Sequence, residues 1–563
     1  MGLHNAQQWK KIIKENPEIF GNSFITQLPN NEIPEIVMED MTSFIRKTAH
    51  NKNTWQGVIE KIKERIQMSH KTEKYIIVID EKSFVPVTKK IEQDKRDSTN
   101  KKETDKFTKE ELEYVITHGI NPIPEKFKNA DFIKKVINSR ELYNDMHSYL
   151  AAELTDFSFP FDENKGKTHL IIDGPSINSF SSRMKNEMSK RVITINSPDD
   201  LHKYKFRKLE DLPLYQSGKE INYKTESVIK KNKPIETCIF DIFRPKEAQK
   251  NNVAVFKSNE IGEGELKFGR HLIDLNPKIE KTIFIISDDT DLIPILLLSM
   301  RQFISKKEGG DDDREDINFK IYVDITYSKK KSEARKKGIE FIPDILDMTT
   351  MWYSILEYFN THRRTVKCPI ETIAFLMALC GTDYTESLYW FTPERVWKFF
   401  MEEGYKYFSK DESIKVEEYG SITGPRSNKD VYAISYAGPY GNPKERIEIL
   451  IAEHKIYIFI KNYYYRTFVF KNNTKPILED SLEPLRKTKG KIIEDNKIFA
   501  HIRRSMFVVE YWTDAYLYIP DPVMNPIEIS AGGRSKYGWE LEKDKVIRSE
   551  RVQRFNTQHI IQE

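Results

Sequence analysis

The sequence predicts an α/β protein with a mostly parallel central sheet flanked by helices. Three observations predict it. The chain opens as strand, helix, strand over 35–79, the order of two parallel strands joined by a crossover. Short apolar runs alternate with helical patterns again between 253 and 401. Several of those runs end on acidic residues, at the edge where parallel sheets bind ligands.

Residues 6–16 place Trp9, Ile12 and Ile13 on one helical face. A strand over 35–39 ends at Asp40, and Thr42 and Ser43 offer caps to a helix carrying Phe44 and Ile45. Trp55 to Met68 is amphipathic, and 75–79 reads as a buried strand closed by Asp80.

The stretch 81–252 reads as a large insertion. It holds a basic segment (Lys89, Lys90, Lys95, Arg96, Lys101, Lys102) and helical patterns near 108–117 and 129–152. Within it, 169–175 reads as a strand running into a turn. Regular alternation returns with a strand at 253–256, a helix at 263–273, a strand at 282–286 and a helix reaching Met300. Further strands are expected at 319–323 and 341–345, and helices at 347–360, 368–380 and 393–401. Beyond these, 447–451, 456–460 and 463–470 are dense in β-branched and aromatic residues, the composition of strands. A β-rich carboxyl-terminal domain over 402–563 is therefore expected, with the boundary near 402–430.

The bulk numbers bound the class. The chain has 563 residues, 39% hydrophobic and 31% charged, which fits a globular protein with polar surface segments. The net charge of +4 selects no partner. Cys238, Cys368 and Cys380 have neither metal-site nor disulfide-framework spacing, so reduced thiols and a cytoplasmic or nuclear setting are expected. The apolar run near 293–298 is too short to cross a bilayer, and no membrane partner is expected.

The chemistry rests on acids. Asp40, Asp80, Glu263, Glu265, Asp289, Asp291 and Asp383 sit at predicted strand or helix ends. Alone, Asp40 or Asp80 is a turn residue or cap, Glu263 and Glu265 are first-turn acids, and Asp288 is a helix cap. Together in one pocket they would repel unless cations neutralised them. Hard oxygen donors suit Mg²⁺ or Mn²⁺, and two such ions imply phosphodiester hydrolysis. Glu263 and Glu265 converge if the first lies in the entry turn and the second in the first helical turn.

The order of these motifs resembles the flap endonuclease and 5′→3′ exonuclease superfamily, with its PIN-like nuclease fold. The resemblance covers roughly the first 400 residues, outside the gap from 80 to 253. Met1-Gly2-Leu3-His4-Asn5 is similar to the family's opening signature, which lies near the active site. Val37-Met38-Glu39-Asp40-Met41-Thr42 and Val78-Ile79-Asp80-Glu81-Lys82 resemble its first two aspartate motifs. Glu260-Ile261-Gly262-Glu263-Gly264-Glu265-Leu266-Lys267 resembles the paired-glutamate motif of 5′→3′ exoribonucleases. Ser287-Asp288-Asp289-Thr290-Asp291-Leu292-Ile293 and Leu379-Cys380-Gly381-Thr382-Asp383-Tyr384 resemble the later acidic motifs.

The resemblance implies a two-ion Mg²⁺ or Mn²⁺ site held by the seven acids. It implies phosphate-facing cations at Lys89 or Lys90 and at Lys95 or Arg96. It implies a nucleic-acid partner, a DNA flap or single-stranded 5′ end, or RNA. A catalytically inactive nuclease-fold protein that binds nucleic acid or serves in an assembly is the alternative, and a PIN-like endoribonuclease is a third. The sequence departs from the family in three places. Glu81 replaces a glycine, Glu39 adds an acid, and 388–395 lacks the glycines of a duplex-gripping helix–two-turn–helix.

Overall fold

The described residues of this computed structural model are 3–29, 33–49, 55–68, 72–80, 88–89, 107–118, 132, 135–136, 169–173, 193–195, 239–241, 253–256, 263–273, 280–301, 319–326, 334, 337–338, 340–366, 368–388, 391–408, 431–432, 451–468, 495–513, 538–542 and 545–548. Ten strands form one sheet: β1 (Phe24–Ile25), β2 (Ile36–Asp40), β3 (Lys74–Val78), β4 (His169–Asp173), β5 (Ile193–Ile195), β6 (Ile239–Asp241), β7 (Val253–Phe256), β8 (Thr282–Ile286), β9 (Lys320–Asp324) and β10 (Ile345–Asp347). Their spatial order is β1-β10-β9-β8-β2-β3-β4-β7-β6-β5. The six central strands, β9 to β7 in that order, are all parallel. Antiparallel strands close both edges. The predicted α/β class with a mostly parallel sheet is the one observed.

The register explains why acids collect at one edge. Asp40 lies opposite Val78, Val78 opposite Asp173, and Glu39 opposite Ile286. The strands end in step, so the residues that follow them emerge side by side. β2 is buried along its whole length, as expected of a central parallel strand covered on both faces.

Helices flank the sheet: α1 (Ala6–Glu15), α2 (Pro17–Phe20), α3 (Met41–Ala49), α4 (Trp55–Met68), α5 (Lys109–His118), α6 (Gly264–Ile273), α7 (Leu292–Arg301), α8 (Met348–His362), α9 (Pro369–Leu379), α10 (Pro393–Glu402), α11 (Glu453–Phe468) and α12 (Asp495–Thr513). Asp347 caps α8 by accepting from the Thr350 N–H at 2.9 Å. Proline opens α9 and α10, where a missing N–H is no loss. Every residue of α9 is buried, so it is a core helix rather than an amphipathic one. Trp9 of α1 meets Trp397 of α10 edge-on, with ring centroids 6.5 Å apart. Among the described residues no helix is long and apolar enough to cross a membrane.

Two expectations need correcting. The stretch 81–252, expected to be an insertion, supplies β4 to the middle of the sheet between β3 and β7. The β-rich carboxyl-terminal domain is met only in part: 453–468 and 495–513 are helices, beside two antiparallel pairs, Val431–Tyr432 with Ile451–Ala452 and Trp539–Glu542 with Lys545–Arg548. The strands expected at 456–460 and 463–470 fall on α11 or outside the described residues. Ile456, Phe459, Ile460 and Tyr463 are buried at helical spacing. Their packing overrides the β preference of isoleucine and the aromatics. Phe459 sits among Phe391, Phe399, Tyr407 and Phe408, with centroids 5.2–6.5 Å away. α11 and α12 share one apolar core with the sheet's helices, and Tyr457 stacks on Phe499 between them at 4.4 Å.

Candidate metal centre

Asp40 ends β2, and its Oδ1 accepts from the Thr42 N–H at 2.9 Å as α3 begins. Thr42 then turns its hydroxyl to Asp80 Oδ2 at 3.2 Å. Asp80 Oδ1 accepts from the Gly264 N–H at 2.7 Å, at the start of α6. A Cβ on Gly264 would stand 2.9 Å from Asp80 Oδ1 and 3.9 Å from Asp40 Oδ1. Glycine lets this helix end approach the Asp80 carboxylate without displacing it.

Glu263 precedes α6 and Glu265 lies in its first turn, the placement expected of the pair. Both are buried. Glu263 forms an ion pair with Lys89, whose ammonium also lies 5.4 Å from the centre of the Tyr384 ring. Asp289 and Asp291 occupy the turn between β8 and α7, where the Asp291 N–H donates to Asp289 Oδ1 at 3.1 Å. Asp383 is buried in the turn after α9. The first described residues also reach this turn region. Leu3 N–H donates to Thr290 Oγ1 at 3.1 Å, and His4 N–H donates to Gly381 O at 2.9 Å. Gly381 has φ 101°, and a Cβ there would stand 2.6 Å from His4 Nδ1. His4 thus meets this turn through its backbone N–H and through its ring beside Gly381.

Electrostatics join six of the seven acids into one cluster, and Asp40 adjoins it through Thr42. Burial, with Asp80 and Asp383 behind it, pushes the Glu263 carboxyl up to about 7 against the pull of Lys89. Burial and Asp289 hold Glu265 well above the carboxylate range. Burial, Asp289 and Asp383 do the same to Asp291. Asp289 goes the other way. Burial opposes its charge, but the chain's amino group, Lys89 and hydrogen bonds with Glu265 and the Asp291 N–H outweigh it. Burial also works against the Lys89 ammonium, yet Glu263, Tyr384, Glu265 and Asp383 keep it charged.

The donors are carboxylate oxygens, the set that Mg²⁺ or Mn²⁺ prefers. Glu263 Oε1 and Asp291 Oδ1 are buried without a hydrogen-bond partner, a costly state for an acid oxygen. A divalent cation would satisfy such oxygens and relieve the mutual repulsion, so the residues fit the ions. Among the described residues, no three His, Cys, Asp or Glu side chains form a ready-made cation cage. The acids are tied instead to protein donors: Thr42, Gly264, Lys89 and the turn amides.

Of the expected cations, Lys89 lies in the cluster; Lys90, Lys95 and Arg96 lie outside the described residues. Asp288 accepts from the Ser43 hydroxyl on α3. The extra acid Glu39 points to the opposite face of β2, where Tyr75 and Arg65 bind it, the latter at 2.9 Å. It is no part of the cluster. A cleft of about 410 Å³ lined by Lys14, Phe24, Lys337 and Asp344 shares no residue with the acids.

Sequence reasoning overlooked three residues beside the site. Asp173 ends β4 one strand from Asp80 and is fully buried against Lys267 and His271 of α6. The signal was present: His169-Leu170-Ile171-Ile172-Asp173 is an apolar run closed by an acid, as at Asp40. It also overlooked α12, whose His501 donates from Nε2 to Leu379 O at 2.8 Å, four residues before Asp383. Tyr511 of α12 packs edge-on against Tyr384, the next residue after Asp383, at 5.5 Å. No protein-family model matches this chain, and no curated protein matches it in sequence.

Proposed function

We propose that this protein is a divalent-metal-dependent 5′ nuclease, a divergent member of the flap endonuclease and 5′→3′ exonuclease superfamily. Its substrates are DNA flaps or ends, or RNA 5′ ends. One observation carries the reading. Acids from five segments, spread over 343 positions from Asp40 to Asp383, gather where parallel strands end; all but the half-buried Asp80 are buried, and Lys89 lies among those of α6 and Asp383. A cluster of this kind is costly to bury and serves no packing purpose.

Bound Mg²⁺ or Mn²⁺ would supply charge neutralisation at the scissile phosphate and a more acidic water. The protein's part is positional. Asp40, Asp80, Glu263, Glu265, Asp289, Asp291 and Asp383 would hold the ions, directly or through water. Thr42 and the Gly264 N–H fix the Asp80 carboxylate, and the Asp289–Asp291 turn fixes its own acids. Lys89, paired with Glu263 in the cluster, would be the cation that meets developing phosphate charge. In the net reaction a water oxygen bonds to phosphorus, the bond to the sugar oxygen breaks, and that oxygen takes a proton.

A second reading has its own support. Lys89 already neutralises Glu263, and protein donors hold several of the acids, which suits a nucleic-acid-binding or assembly component that no longer cleaves. One assay separates the two. The purified chain is incubated with labelled single-stranded, flap and duplex DNA and RNA, with Mg²⁺, Mn²⁺ or chelator, alongside Asp289→Ala and Asp291→Ala. Metal-dependent cleavage lost in both variants supports the nuclease. Cleavage that survives chelator or both substitutions removes it, and binding without cleavage favours the second reading.

A further inference from the structure

Lys267 lies on α6 two residues beyond Glu265 and is fully buried. Its ammonium donates to Ile79 O at 2.7 Å and to Asp173 O at 3.3 Å, and it pairs with Asp173 Oδ1 at 3.2 Å. Ile79 is the residue before Asp80, and its own N–H donates to Asp173 O at 2.8 Å. One helical turn further along α6, His271 Nε2 lies 3.0 Å from Asp173 Oδ2. Both ends of the Asp173 carboxylate are therefore held by one helix, and the same lysine holds the peptide leading into Asp80.

These contacts link the two backbone segments that carry Asp80 and the Glu263–Glu265 pair, the end of β3 and the first turn of α6, through the end of β4. A buried ion pair with no role beyond packing could be replaced whole by apolar residues at little cost. This one spans a junction where a small shift would separate Asp80 from the Glu263–Glu265 turn. Residues that support ligands in this way tune metal affinity without touching the ion.

We propose that Lys267, with Asp173 and His271, is a positioning residue that keeps Asp80 in register with Glu263 and Glu265. The inference rests on the nuclease reading for its purpose, not for its geometry. It is tested on the full chain with Lys267→Met, Lys267→Arg and His271→Gln. Ile355→Ala, in the buried face of α8, serves as a destabilised control remote from the acids.

Two quantities are measured: amide hydrogen exchange at Gly264, whose N–H binds Asp80, and Mn²⁺ affinity by calorimetry. In Lys267→Met, Mn²⁺ affinity falls about tenfold or more, Gly264 exchange accelerates, and Lys267→Arg recovers part of both. His271→Gln, which keeps the lysine, shows the same changes on a smaller scale and decides the matter if Lys267→Met does not fold. Gly264 exchange and Mn²⁺ affinity no different from those of Ile355→Ala overturn the proposal. A wild-type chain that takes up no Mn²⁺ removes the nuclease reading, and the clamp is then decided on exchange alone.

Discussion

The Gly264 N–H donates to Asp80 Oδ1 at 2.7 Å across 184 residues of sequence. This bond brings the first turn of α6 against the strand end that supplies Asp80. Gly264→Ala would press a methyl group into the carboxylate oxygen 2.9 Å away. Alanine suits a helix better than glycine, so stability changes little. Metal-dependent cleavage is expected to fall about 100-fold, the cost of a misplacement near 1 Å. Melting curves and cleavage rates measured together check this, and a variant with full activity would refute the close approach.

Asp291 is expected to trade stability for function. Burial, with Asp289 and Asp383 adding to it, raises its folded pKa above the unfolded value. Protonation therefore favours the fold; this share of stability is whole below the unfolded value of about 3.9 and is lost as pH rises from there through the raised folded value. Asp291→Asn makes the metal-free protein more stable at pH 8 and lowers cleavage about 100-fold or more. Melting in chelator and in Mn²⁺ reads it: Mn²⁺ stabilises the wild type more than the variant.

Lys89→Met leaves Glu263 buried without its partner. Breaking a buried pair from one side costs about 3–5 kcal/mol, and metal-free denaturant unfolding should show a loss of that order. Saturating Mn²⁺ is expected to restore part of it, because a cation neutralises the same carboxylate. Equal losses with and without Mn²⁺ would separate Lys89 from the ion site.

His501 gives a pH signature far from the acids in sequence. Burial first, then Arg504 and His4, lower its pKa from 6.5 to about 4, against the hydrogen bond to Leu379 O and the charge of Glu386. Between those values the unfolded chain binds the extra proton. Its contribution is thus complete above pH 6.5 and is lost as pH falls to 4, about 3 kcal/mol in all. His501→Gln removes that share of the acid sensitivity. Urea unfolding from pH 7 to 4.5 compares the two; parallel curves count against the assignment.

Phe459 tests whether the helical carboxyl-terminal part belongs to the core. It is fully buried among four aromatic rings, and a Cβ on Gly404 would meet it at 2.5 Å. Phe459→Ala is expected to cost about 3–5 kcal/mol in a single cooperative transition. A separate early transition would instead mark an independent domain.

The acids themselves were legible because each follows a local pattern: an apolar run, then a carboxylate at the turn. Asp40, Asp80, Asp289 and Asp291 need only strand propensity and a parallel sheet to land on one edge. Glu263 and Glu265 needed only the start of α6. Asp173 carries the same pattern on a strand that was legible, yet nothing local showed that this strand pairs with β3 across 90 residues and brings its acid beside Asp80. Tyr463 and its neighbours misled because β-branched and aromatic residues favour strands locally, while burial at helical spacing decided otherwise.

By itself, the sequence determined the α/β class, the parallel strands and the acids at their ends, since period and turn chemistry act over a few residues. Only the tertiary structure decided that Lys89 faces Glu263, that Lys267 grips Asp173 and the peptide before Asp80, and that α12 braces the helix leading to Asp383. Those contacts join segments far apart in the chain, and they form because buried charges must find partners wherever the fold brings them within reach.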